Sequence, residues 1–436
     1  MAIKLLEHQA AVFNEFKDFK NVGLFHDMGV GKTFTGSELA NNYGLDIVVV
    51  CQHSLISTWL KHFQTHYPQY TVYNLCETKT LETFLNVSHL KVGVLNYDII
   101  FRDRMKPLLG LTNYTLILDE SSVIQNPKSK RGKAVLKLKP THTLLLTGSL
   151  MNGKYERLWS QCRLLGWDIS EKLFLEHYCI TDYVRDRRGN PLSSKLGFPI
   201  KQVIGYKNVD RLKRKLREYG GSFLKTEEVL TLPEQTFTDI SVATTKEYKR
   251  FQKTKVVDVE GETLVGDTTL TKLLYSRMLC GAYNPNKIQA FKDLLDSTND
   301  RLIVFYNFNK ELEKLLEAVG GRPVSTVNGA GKDLENFENC GNSVTFIQYQ
   351  AGSFGLNLQK ANKIVYFTPP LSSEHLEQSK KRTHRIGQTE PCFYYNLVCE
   401  GSVEEKIYEV LAMRRDFTND LFEEFEKNLK NFQKTP

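Results

Sequence analysis

Short, nearly continuous apolar runs rich in β-branched residues alternate with longer stretches of helical periodicity through the first half of the chain. The runs Val22–Phe25, Ile47–Cys51, Val92–Asn96, Thr115–Asp119 and Thr143–Thr147 contain few polar positions, as expected for strands of a parallel sheet buried on both faces. Between them, Thr33–Tyr43 and Leu55–Phe63 place apolar residues at helical spacing. That alternation predicts a doubly wound α/β lobe. The pattern returns after residue 300 in Leu302–Tyr306, Val324–Val327, Val344–Tyr349, Ile364–Phe367 and Phe393–Val398, which predicts a second α/β lobe.

Between the two runs of alternation, residues 165–270 are less regular and mix a basic helix, Gly220-Gly221 and Leu232-Pro233. At 436 residues the chain exceeds what one ordinary core organises. The expected division is a first lobe over 1–233 with a helical insertion starting at about residue 165, and a second over 234–436. The closing MRRDFTNDLFEEFEKNLKNF carries Phe and Leu at helical spacing and predicts an amphipathic C-terminal helix.

Composition narrows the class. Hydrophobic content of 41% with 25% charged residues is that of a globular chain, and no apolar run approaches the roughly 18 residues that span a bilayer. Eight cysteines form no Cys-x-x-Cys pair, so reduced thiols in a cytoplasmic-type compartment are expected. The net charge of +8 is concentrated in KSKRGK at 128–133, RDRR at 185–188, RLKRKLR at 211–217 and KKRTHR at 380–385. One such run is an ordinary solvated helix face; several together favour contact with a phosphate backbone.

The candidate chemistry begins where the first strand ends. Asp27-Met28-Gly29-Val30-Gly31-Lys32-Thr33 joins a strand to a helix, the arrangement in which backbone N–H groups cradle phosphate oxygens. Lys32 would neutralise β/γ charge and Thr33 would give its hydroxyl to Mg²⁺. The strict pattern fails at its first position, where His26 stands in place of glycine. Asp119 and Glu120 close another apolar run; an acid there suits the Mg²⁺ sphere, and its neighbour suits activation of the attacking water. No guanine-reading Asn-Lys-x-Asp occurs, and Gln9 sits upstream of the loop where an amide can pair with an adenine edge, so ATP is the expected nucleotide. Arg382 and Arg385, at i and i+3, would share a helix face and could stabilise a transferring phosphoryl group, an effect worth about 10³–10⁵ in turnover.

Taken in order, LLEHQ, HDMGVGKT, VVVCQHSLISTWLKHF, LNYD, LILDESSVIQNPKSKRGKA, LLLTGSLMN, LIVFYNF, AGSFGLNLQKANKIVYF and QSKKRTHRIGQ resemble the Swi/Snf-type ATPases of helicase superfamily two over nearly the whole chain. The resemblance implies two RecA-like lobes in tandem and an ATP- and Mg²⁺-dependent motor that closes on nucleotide. Residue by residue it implies that Gln9 reads adenine and Lys32 and Thr33 bind phosphate and metal. Gly355, Asn357 and Gln378 would line the nucleotide cleft together with Arg382 and Arg385. Thr147-Gly148-Ser149 would relay nucleotide state to DNA. Ser54, Trp59, Asn96 and the segment Asn126, Lys128, Ser129, Lys130 and Arg131 would lie along the nucleic-acid track.

Three departures stand out. Ser121-Ser122 replaces Ala-His, Ser149-Leu150 replaces Thr-Pro, and Phe223-Leu224 stands where arginines are common. The large insertions of chromatin remodellers are absent, which suggests a minimal motor of bacterial or viral type. The expected partner is double-stranded DNA, with a separate protein for targeting, no membrane association and a monomeric chain. Two alternatives remain open: a fork-remodelling or strand-annealing motor, and an ATP-gated DNA-binding module with feeble turnover.

Overall fold

The computed structural model describes residues 4–148, 155–185, 189–193, 199–229, 232–350 and 356–413. The chain divides into two compact units at residues 229/230. In the first, β1 is Asn21–His26, β2 Asp46–Cys51, β3 Thr71–Asn74, β4 Lys91–Asn96, β5 Tyr114–Asp119, β6 His142–Leu146, β7 Cys179–Tyr183, β8 Lys201–Tyr206 and β9 Gly221–Leu224. Seven of these make one sheet in the order β3-β4-β2-β5-β6-β1-β9, and every neighbouring pair in it is parallel.

The continuous apolar runs have the two-sided burial that a parallel sheet demands. In β2, Val48 and Val50 join one apolar layer while Ile47, Val49 and Cys51 join the other, because successive side chains point to opposite faces. Helices Lys32–Asn42 and Ile56–His66 contribute Leu39, Ala40, Ile56, Trp59 and Phe63 to the second layer.

The second unit contains β10 Gln235–Val242, β11 Val256–Val259, β12 Glu262–Val265, β13 Leu302–Tyr306, β14 Val324–Asn328, β15 Gly331–Asp333, β16 Val344–Gln348, β17 Lys363–Tyr366 and β18 Cys392–Cys399. Its main sheet runs β10-β18-β17-β13-β16-β14-β15 and is parallel except where β15 meets β14. Alternate residues of β13 again divide between layers, Ile303 and Phe305 to one, Leu302, Val304 and Tyr306 to the other. Each unit is thus a doubly wound α/β lobe, as expected.

The segment expected to be a helical insertion is richer in strand than predicted. β7 and β8 form a separate antiparallel pair, as do β11 and β12. β9 and β10 are instead edge strands of the two main sheets. Gly220 permits the turn from helix Val209–Glu218 into β9: its φ is +89°, and a Cβ there would lie 2.2 Å from the Asn21 carbonyl oxygen. The basic run within that helix is not wholly solvated, since Leu212, Lys213 and Leu216 are buried. β3 is too short to register as an apolar run. The expected C-terminal helix lies, apart from its first residue, outside the described residues.

Candidate functional site

Strand order brings three chain reversals side by side. β5, β6 and β1 are consecutive in the first sheet and parallel. Their C-terminal ends therefore present Asp119-Glu120, Thr147-Gly148 and the glycine loop at one edge, which is where ligands bind open parallel sheets.

The loop leaves β1 through Asp27 and Met28, and Gly29 and Gly31 both take left-handed backbone, at φ +88° and +81°. Gly31 is the N-cap of helix Lys32–Asn42. Lys32 Nζ donates to the carbonyls of His26 and Asp27, both at 2.8 Å, and so lies over the mouth of the loop. A Cβ on Gly148 would sit 3.5 Å from that ammonium, so the reversal after β6 closes directly on it. The Thr33 hydroxyl, in the first turn of the helix, makes no hydrogen bond among the described residues and keeps its lone pairs for a ligand.

Gln9 packs on the loop. A Cβ on Gly31 would lie 2.0 Å from Gln9 Nε2, which donates to the Val30 carbonyl at 3.2 Å. Gln9 Oε1 accepts the Leu6 N–H at 2.9 Å. With those bonds in place, the second N–H of Nε2 and the second lone pair of Oε1 remain to read an adenine edge. His8 Nε2 also lies 2.9 Å from the Val30 carbonyl oxygen. His26, the departure from the strict loop pattern, is still part of β1; its Nε2 lies 2.8 Å from Ser222 Oγ on β9. Burial first, then the Lys32 charge, pushes its pKa down to about 3, so the ring is neutral. The loop is also held from beyond β9: the Thr226 N–H donates to Asp27 Oδ2 at 3.2 Å and its hydroxyl to the Met28 carbonyl at 3.1 Å. Nothing in the sequence signals this tie, which spans 199 residues.

Asp119 ends β5 as expected. Burial raises its pKa to about 6, against the lowering effect of the Trp59 hydrogen bond. A desolvated carboxylate near the loop, together with an uncommitted threonine hydroxyl, fits a divalent cation bound with a triphosphate. Glu120 follows in left-handed backbone at φ +54°, a strained conformation for a residue with a Cβ. Its Oε1 accepts the hydroxyls of Thr147 at 2.8 Å and Ser122 at 3.1 Å. Ser122, one of the departures, therefore works as a donor to the second acid.

The expected nucleic-acid residues separate into two groups. Lys128, Lys130 and Arg131 are exposed, and Ser129 caps helix Lys130–Val135. Asn126 Oδ1 accepts the Lys128 N–H at 3.0 Å, and Arg131 pairs with Asp98. Ser54 lies half-buried in the short turn His53–Leu55. Trp59 and Asn96 require correction. Trp59 is 2% exposed and its indole N–H donates to Asp119 Oδ2 at 2.8 Å. Asn96 is buried, its Oδ1 accepting the N–H groups of Asp98 and Ile99 at 3.1 Å each. Neither side chain is on the surface to meet a polyanion.

In the second unit, Gln378 lies on helix Ser373–Lys380 and donates to Glu374 Oε1 at 3.2 Å. The helix ends there, so Arg382 and Arg385 do not share a helix face as expected; they lie in the turns that follow. Thr383 is buried and its hydroxyl bonds back to the Lys380 carbonyl at 3.2 Å, while Gly387 takes φ +95°. Gln388 holds the segment down by donating to the Ala361 carbonyl at 3.1 Å. Burial pulls the Arg385 pKa below its ordinary value, and its guanidinium has no hydrogen-bonding partner among the described residues. Asn357 is exposed; Gly355, Ser149 and Leu150 lie outside the described residues.

Among the described residues one group brings metal-ligand atoms together, Cys280, Cys399 and Glu404, within 4.8 Å of one another. Lys287 Nζ donates to both Glu404 oxygens at 2.7 Å, so an ammonium already fills the cation position.

A parallel-sheet lobe with a glycine loop after one strand and an acid pair after another is that of a P-loop-type nucleotide-binding protein. Family comparison takes the step further: the SNF2-related domain matches residues 10–280, and the helicase conserved C-terminal domain matches residues 286–387. The chain belongs to the SNF2-related family. YwqA of Bacillus subtilis (strain 168), provisionally named an ATP-dependent helicase/translocase, is 22% identical over 92% of this chain and 46% of its own length. Protein CHROMATIN REMODELING 24 of Arabidopsis thaliana is 23% identical over 94% of this chain and 45% of its own. The chain thus spans about half the length of these two relatives. A solved Sulfolobus solfataricus SWI2/SNF2 ATPase core in complex with dsDNA is 20% identical over 97% of this chain and 93% of that one, with a TM-score of 0.45.

Proposed function

We propose that the chain is a DNA-stimulated ATPase that translocates on double-stranded DNA, coupling hydrolysis to opening and closing of its two lobes. The observation that carries this reading is the meeting of the glycine loop, Lys32, Thr147 and the Asp119-Glu120 pair at one end of the first sheet, in a chain of the SNF2-related family. Triphosphate oxygens would lie on the backbone N–H groups of Gly29–Thr33, with Lys32 leaving its two carbonyl partners to meet β/γ charge. Thr33 and Asp119 would hold Mg²⁺, which when bound neutralises charge on the transferring phosphoryl group. Glu120, held by Thr147 and Ser122, would orient the attacking water. In this reading Arg382 and Arg385 of the second unit supply the remaining positive charge, and Arg385 has the partly desolvated side chain that such a role needs.

The DNA assignment is supported by the exposed cations Lys128, Lys130 and Arg131 and by relatives such as human chromodomain-helicase-DNA-binding protein 1, 25% identical over 88% of this chain. Contacts of this kind are to phosphates, so binding should be salt-sensitive and indifferent to sequence. The test is ATP hydrolysis by wild type and Lys32→Ala with no nucleic acid, linear duplex, forked DNA, single-stranded DNA or RNA. Strong duplex stimulation that Lys32→Ala abolishes is the expected result. A marked fork preference replaces this reading with fork remodelling; DNA affinity that responds to ATP without turnover replaces it with a gated binding module.

A further inference from the structure

Trp59 sits in the apolar layer beneath the nucleotide loop, on helix Ile56–His66. Its ring stacks on Phe63 at 5.9 Å between centroids and meets His62 edge-on at 5.8 Å. An indole has one donor and no acceptor, and that donor is spent on Asp119 Oδ2 at 2.8 Å. Asp119 is held at its other end too, where the Tyr97 hydroxyl donates to its carbonyl oxygen at 2.9 Å.

We infer that Trp59 is a positioning residue for the metal-binding carboxylate: its indole N–H fixes the side-chain orientation of Asp119 that the cation meets. The inference rests on the nucleotide-binding reading above and adds to it a residue that acts through Asp119 from the buried layer. Three features support it. The ring is buried, stacked on Phe63 and met edge-on by His62, so its N–H points in one direction. Among the described residues it is the side chain that hydrogen-bonds this carboxylate. And Asp119 stands at the partly exposed end of its strand, where this donor and a backbone hydrogen bond from Glu120 hold its carboxylate in one orientation. Groups behind a metal ligand that set its orientation contribute about 10–100-fold to metal affinity.

The discriminating variant is Trp59→Phe, which keeps an aromatic ring against Phe63 and deletes the donor. Mn²⁺ binding is followed by electron paramagnetic resonance in the presence of a non-hydrolysable ATP analogue, beside analogue binding in EDTA and thermal unfolding. The expected result is Mn²⁺ affinity lowered about tenfold or more with metal-free analogue affinity unchanged. A folded Trp59→Phe that binds Mn²⁺ as the wild type does, whatever its melting temperature, overturns the inference and leaves the nucleotide reading standing. Absence of Mn²⁺ binding by the wild type with the analogue sinks the nucleotide reading and this inference with it. Should Trp59→Phe not fold, Trp159→Phe/Trp167→Phe leaves Trp59 as the sole indole. Its emission must then change on Mn²⁺–analogue binding, and an unchanged emission overturns the inference.

Discussion

Thr147 Oγ1 donates to Glu120 Oε1 across 2.8 Å, joining the end of β6 to the second acid after β5. Glu120 is held in left-handed backbone at φ +54°, so this bond and that from Ser122 direct a side chain whose backbone is already strained. Thr147→Val keeps the shape and removes the donor. Turnover should fall about tenfold, the loss expected for one hydrogen bond to a charged group, with nucleotide binding unchanged. Glu120→Gln should retain binding and lose about 10²-fold or more of turnover. Single-turnover kinetics beside equilibrium binding of a fluorescent ATP analogue separate the two effects.

Gly31 is constrained twice, by φ +81° and by Gln9 Nε2 lying 2.0 Å from where a Cβ would stand. Gly31→Ala should therefore weaken nucleotide binding. Because Gln9 is itself the expected reader of adenine, the clash is separated by stability without nucleotide: adding Gln9→Ala removes it and leaves the backbone penalty, which is about 1–2 kcal/mol. The double variant should recover only part of the stability that Gly31→Ala loses. Full recovery, measured by denaturant unfolding, would mean that the clash alone matters and the left-handed backbone does not.

The part of the site that was legible in the sequence is the part built from contiguous residues. Gly29, Gly31 and Lys32 follow a strand and open a helix, so local chemistry gives their arrangement. Asp119 is announced by the apolar run it ends. Trp59 shows the limit: an aromatic residue with one polar atom suits a surface track or a core equally well, and only the packing against Phe63 and the bond to Asp119 decide. Thr226 and Ser222 were invisible because their partners, Asp27 and His26, lie 199 and 196 residues away. For Arg382 and Arg385 the helical spacing misled, since the helix ends at Lys380, before either arginine. The edge strands β9 and β10 escaped notice because a sheet edge has an exposed side and needs no continuous apolar run.

Asp119 ties stability to pH in a direction opposite to that of a salt-bridged acid. Burial raises its pKa from 3.8 to about 6. Near pH 3 and below it is mostly protonated in both folded and unfolded chains and has little net effect. As pH climbs from 3.8 towards 6 the unfolded chain ionises first, so stability falls until the folded group has ionised too. Asp119→Asn resembles the protonated form at every pH. It should leave the metal-free protein nearly unchanged near pH 3 and stabilise it at pH 8 by roughly 1–3 kcal/mol, while abolishing turnover. Urea unfolding at the two pH values without nucleotide or metal checks this; equal effects at both would remove the link to ionisation.

The pair Lys287–Glu404 gives the second lobe its sharpest electrostatic sensitivity. Both side chains are fully buried, and both Glu404 oxygens accept from Lys287 Nζ at 2.7 Å. Glu404 Oε2 also accepts the Cys399 N–H at 3.0 Å, linking the pair to the end of β18. Lys287→Met strands a carboxylate in the interior and should destabilise the lobe by about 3–5 kcal/mol. Lys287→Met/Glu404→Gln removes both charges and keeps an acceptor for the Cys399 N–H. It should recover most of that loss, because desolvating two ions offsets much of their attraction. Denaturant unfolding of the wild type and the single and double variants closes the cycle. A double variant no more stable than Lys287→Met would show that the lobe depends on the hydrogen-bond geometry of the ion pair rather than on charge balance.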